Sequence, residues 1–103
     1  MNLTTKKGVV FFKQESDRDA AYRDIFSNYK DFVSDDGCIV SVYSFLKITK
    51  KQKNKICFTL TYRKICDIER NRAIEESFLI IKHTLCLCRM FGGKTESEIF
   101  YGV

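Results

Sequence analysis

Nine basic residues crowd into positions 47–72: Lys47, Lys50, Lys51, Lys53, Lys55, Arg63, Lys64, Arg70 and Arg72. Only Asp67 and Glu69 oppose them, which leaves this stretch at +7. The preceding stretch has the reverse bias. Residues 14–36 hold seven acids, Glu15, Asp17, Asp19, Asp24, Asp31, Asp35 and Asp36, against three bases. Phosphate contact follows local potential rather than total charge, so a cationic segment beside an acidic one is the pattern of a polyanion-binding face. A solvated surface with unevenly spread charges is the competing explanation.

Other reactive side chains are sparse. The five cysteines, Cys38, Cys57, Cys66, Cys86 and Cys88, are odd in number and lie within apolar runs, which argues against a disulfide framework. A zinc site needs several ligands converging at tetrahedral distance. Here only Cys86-x-Cys88 and His83 are close in sequence, and on a helix the two thiols point about 200° apart. No metal and no cofactor is expected. His83, among Ile80, Ile81, Leu85 and Cys86, reads as a boundary histidine satisfied by a nearby carbonyl. Without a nucleophile–base pair, paired carboxylates or a glycine cradle after a strand, the chain is not expected to be an enzyme.

The elements that must carry the basic residues follow from periodicity. Gly8–Lys13 is a short β-type run after a turn residue. Ser16 reads as the N-cap of a helix over 17–34, with Tyr22, Ile25, Phe26, Tyr29, Phe32 and Val33 as its apolar stripe. Asp35-Asp36-Gly37 stops it. Two strands come next. In 38–48, Cys38, Val40, Val42, Leu46 and Ile48 share one face; in 55–63, Ile56, Phe58, Leu60 and Tyr62 alternate with Cys57, Thr59, Thr61 and Arg63. The polar joint Thr49–Asn54 makes them a hairpin with a cationic tip. Asp67 opens a second helix over 67–91, with Ile74, Phe78, Ile81, Leu85 and Cys88 as core and Leu79, Ile80, Leu87 and Phe91 widening the stripe. Gly92-Gly93 ends it, and Glu96–Val103 reads as a closing strand.

The order β-α-β-β-α-β predicts one α+β domain over 1–103: a mostly antiparallel sheet, two helices on one face, and the other face partly open. The 103 residues leave room for one core only. At 45% hydrophobic and 30% charged the chain is globular, and it lacks both a membrane-length apolar run and an apolar N-terminal signal core. A cytoplasmic location is therefore expected. RNA recognition motifs share this order but stack bases on aromatics of a central strand. The outward row Cys57, Thr59, Thr61 and Arg63 offers none, so a standard stacking platform is not expected.

Read with the hairpin, the C-terminal third resembles the eukaryote-type L-twenty-two proteins of the large ribosomal subunit. The residues that carry this are the hairpin Cys38–Arg63, with Asn54-Lys55-Ile56-Cys57-Phe58-Thr59 entering its second arm. The closing segment Leu87-Cys88-Arg89-Met90-Phe91 and Lys94-Thr95-Glu96-Ser97-Glu98-Ile99-Phe100-Tyr101 is similar in its lysine, serine and aromatic pair. The likeness spans residues 9–102 in order of elements and some fifteen positions in character. Departures are the acids Asp67, Glu69, Glu75 and Glu76 in a helix that the family keeps lysine-rich, and the lack of a charged terminal extension.

The resemblance implies a small ribosomal RNA-binding protein that contacts rRNA phosphates through its hairpin. Lys50, Lys51, Lys53 and Lys55 at the tip, with Lys47, Arg63 and Lys64 on the arms, would act as point charges. Arg70 and Arg72 would add forked contacts, unless Glu69, Glu75 or Glu76 pairs with them along the helix. The acidic first helix would face away from RNA, toward solvent or a protein neighbour. The alternative is a protein-binding module, such as a small viral or mobile-element inhibitor, that docks through Leu79, Ile80, Leu87 and Phe91.

Overall fold

The computed structural model describes residues 3–41, 44–63 and 68–95, and among these the side chains of all but 3, 4, 63, 68–74, 76 and 77. Strand β1 (Leu3–Phe11) leads into helix α1 (Glu15–Asn28) and a single 3-10 turn, Lys30–Phe32. Strands β2 (Cys38–Val40), β3 (Ser44–Lys51) and β4 (Lys55–Arg63) precede helix α2 (Ile68–Met90) and β5 (Lys94–Thr95). All pairings are antiparallel in the order β2-β3-β4-β1-β5. The expected α+β class is therefore the one observed, with an extra strand.

That strand arises where the sequence pattern reads 38–48 as continuous. The chain instead reverses between Val40 and Ser44, and Ile39 pairs with Leu46. The alternation changes phase across the reversal. Ile39 is buried and Val40 exposed, while Ser44, Leu46 and Ile48 point inward. Period two holds only within one uninterrupted strand, so a turn inside an apolar run resets it.

Register fixes the two faces of the sheet. Val10 pairs with Ile56, Ile56 with Lys50, Ile48 with Phe58 and Leu46 with Leu60, so these residues share one face. Val10, Leu46, Ile48, Ile56, Phe58, Leu60 and Tyr62 form one hydrophobic cluster with Ala21 and Ile25 of α1 and Ile81, Leu85, Leu87 and Cys88 of α2. Both helices therefore cover that same face. Full burial of side chains such as Phe58, Ile56 and Ile81 contributes about 1.5–3 kcal/mol each. No described helix lies on the other face.

Local differences have local causes. Helix α1 begins at Glu15 with Gln14 in the cap position and no side-chain cap bond; the Ser16 hydroxyl bonds Gln14 Oε1 instead. The helix ends at Asn28, so Phe32, expected on its stripe, lies in the 3-10 turn and is exposed. Gly8 is paired with Phe58 inside β1 rather than marking a turn. The α2 stop is as expected and has a defined geometry. Gly92 adopts φ +81°, its N–H bonds the Arg89 carbonyl, and the Gly93 N–H bonds the Cys88 carbonyl at 2.9 Å. Residues 94–95 then pair with β1, whereas the strand expected over Glu96–Val103 lies outside the described residues.

Candidate nucleic-acid interface

Strand alternation sorts the basic residues. Lys47 is paired with Thr59, Lys51 with Lys55, and Phe11 with both Lys55 and Lys94. Lys7 faces Thr59 from the other side. Lys7, Lys47, Lys51, Lys55 and Lys94 thus share the open face of the sheet, and position 63 falls on it by register. Among the described residues, no strand contains an aspartate or glutamate. The described ion pairs involve none of these five lysines.

The tip lysines do not act as a single group. Adjacent residues of a strand point to opposite faces, so Lys50 goes to the helical side. There its ammonium lies 3.4 Å from Asp19 Oδ1 and 5.0 Å from the centre of the Tyr22 ring. A carboxylate of the first helix therefore neutralises Lys50, which corrects the expectation that the whole tip projects free charge. Lys53 is exposed in the turn. Arg70 and Arg72 fall in the first turns of α2, and their side chains lie outside those described. Lys64 lies outside the described residues.

Arg18 was not among the residues singled out from the sequence, yet it anchors this end of the sheet. It is buried, with Nη2 2.8 Å from Asp19 Oδ1 and 3.4 Å from Glu15 Oε1. Its Nη1 donates to the carbonyl of Gln52, the residue that takes φ +54° in the β3–β4 turn. The Phe12 N–H bonds the Asn54 carbonyl at 2.8 Å. Helix α1 and the end of β1 therefore hold both sides of the turn. The Arg18 guanidinium, then Lys50, holds the Asp19 carboxyl below the usual carboxylate range despite some desolvation. An arginine three residues from one acid and beside another reads as helix-surface pairing, so nothing in the sequence marked it as a buried anchor.

Among the described residues, two aromatics share the open face. Lys55 places its ammonium 4.9 Å from the centre of the Phe11 ring, a cation–π contact. Phe45, opposite Thr61 and Val40, remains 45% exposed. The outward row of β4 holds no aromatic; those of this face come from β1 and β3, which only strand pairing brings beside it. The sites Asp36 and Lys47 also interact: bonding from Ser34 and its own backbone N–H lowers the Asp36 carboxyl, with a smaller effect from the Lys47 charge.

The remaining candidates fall elsewhere. His83 is exposed on α2, and its Nδ1 lies 2.6 Å from the Tyr29 hydroxyl rather than near a carbonyl. Burial raises the Tyr29 pKa, so that hydroxyl stays protonated at neutral pH. Burial also pushes the Cys88 thiol up to about 12. Cys38 is buried, Cys57 half-buried and Cys86 exposed, and no group of three or more metal-ligating side chains occurs among the described residues. Of the expected apolar docking patch, Leu87 is in the core at 7% exposure. Ile80 and Phe91 are half-buried; Leu79 at 61% and Met90 at 76% are the large apolar side chains of α2 that are exposed among the described residues. No described helix is long and apolar enough to cross a membrane. Comparisons with family models, curated proteins and solved structures found no match to this chain.

Proposed function

We propose that this chain is a small RNA-binding domain that contacts phosphates through the open face of its sheet and the adjoining β3–β4 turn. One observation carries the reading: five lysines on a face that no described helix covers, with no acid in any described strand, while acids line α1 behind it. Such a division of charge gives a field with one outward direction. Lys51 and Lys55 are directly opposed, an arrangement that costs stability unless a bound anion offsets it. Arg18 keeps the turn in place, so Lys51, Lys53 and Lys55 are presented on a supported edge. The role is binding and calls for no catalytic group.

The test is the salt dependence of binding to a labelled RNA strand. Five phosphate contacts give a slope of log K against log salt of about −3.5 on a single strand, a loss of about 100-fold between 50 and 200 mM. Salt-independent binding, or none, removes the reading. The narrower assignment is a component of the large ribosomal subunit, which the likeness over residues 9–102 supports. It expects the tagged protein to sediment with large subunits and to leave them at high salt. A second reading rests on Leu79 and Met90, eleven residues and therefore just over three turns apart on the outer side of α2. That stripe would dock a protein partner; a clean monomer with little dye-accessible apolar surface argues against it.

A further inference from the structure

We infer that the RNA taken by this face is single-stranded, laid across the sheet with one base stacked on Phe45 and its phosphates on the flanking lysines. The inference rests on the RNA-binding reading and adds the strand state of the ligand. Phe45 sits two residues before Lys47 on β3 with its side chain on the same face, about 7 Å away along the strand. Phe45, 45% exposed on a cationic surface, offers a ring face on which a base can stack. Phe11, the other aromatic of the face among the described residues, already has Lys55 over its ring, so Phe45 is the described ring left open for stacking. Val40, paired with Phe45 and 43% exposed, extends the apolar surface to the sheet edge. Charge decides against an acid-free protein surface as occupant, because Lys47, Lys51, Lys55, Lys7 and Lys94 surround the route across the sheet. A duplex is disfavoured as well: its bases are stacked inside the helix and cannot reach a ring on the sheet face.

The test uses the full chain, a fluorescein-labelled twelve-nucleotide polyuridine strand and a twelve-base-pair RNA duplex of mixed sequence, read by anisotropy at several salt concentrations. The expected result is tighter binding of the single strand. Phe45→Leu keeps the apolar contact with Val40 and removes the ring. It should weaken the single strand about 5- to 100-fold, leave the duplex unchanged and leave the salt slope unchanged. Phe45→Tyr, which retains a stacking surface, should restore binding. Equal affinity for strand and duplex, or no effect of Phe45→Leu while the salt slope persists, overturns the single-strand inference and spares the phosphate reading. Absence of binding to both probes at low salt overturns the two together. A circular dichroism spectrum and melt of Phe45→Leu matching the parent protein separate loss of stacking from loss of fold.

Discussion

Replacing Lys51 by glutamate should make the protein more stable and a poorer RNA binder. Lys51 and Lys55 close the β3–β4 hairpin as a directly opposed pair, with Cβ atoms about 5 Å apart. Two ammonium groups there repel; a glutamate opposite Lys55 attracts. Cross-strand charge pairs contribute about 0.2–1 kcal/mol in either direction, so the swing is about 0.5–1 kcal/mol at low salt. For a domain near 100 residues this raises Tm by about 2–6 °C. Loss of one phosphate contact lowers the salt slope by about 0.7 and weakens binding about 5-fold at 0.1 M salt, before any repulsion from the new carboxylate. Thermal denaturation by circular dichroism and anisotropy with the polyuridine strand give the two numbers. A lower Tm would show that the pair does not repel as its register requires. Unchanged affinity would show that the open-face charge is surface decoration.

Other substitutions probe the supports of the face. Arg18→Met keeps the buried stem and removes the charge, leaving the Gln52 carbonyl without its donor; a loss of about 2 kcal/mol in chemical denaturation is expected. Asp19 is held below its ordinary value of 3.8, so its contribution is present above that pH and is lost as pH falls through the lowered value. Asp19→Asn should therefore flatten the acid limb of the stability profile below pH 4, as followed by denaturant midpoints. Gly93→Ala would place a methyl group 2.7 Å from Val10 Cγ1 and 2.8 Å from the Cys88 carbonyl, so a fall of several degrees in Tm is expected. Alkylation at pH 8 followed by mass spectrometry should label Cys86 and leave Cys88 unmodified until the chain unfolds.

The parts of this fold legible in the sequence are those where one signal dominates. The alternation of 55–63 gives β4 with its correct inward face, and the period of 74–88 gives α2. The glycine pair gives its stop. The extra strand was not legible, because Cys38–Ile48 is apolar enough to read as continuous and a reversal inside it leaves no glycine or proline. The site was legible as a concentration of charge and illegible as a surface. Lys50 and Lys51 are neighbours in sequence and face opposite sides of the sheet. Lys7 and Lys94 lie far from the hairpin in sequence and join it through β1. Summing charge along the chain misses both effects, because which face a lysine occupies depends on strand pairing rather than on local composition.

The most direct test is a titration of the isotope-labelled protein with the polyuridine strand, followed by amide chemical shifts. Perturbations should gather on Lys7, Phe45, Lys47, Lys51, Lys55 and Lys94, leaving the backbone of α1 between Asp17 and Asn28 unmoved. Shifts centred on α1 or on the Leu79–Met90 side of α2, with the open face silent, would contradict the assignment of the sheet as the RNA-binding surface.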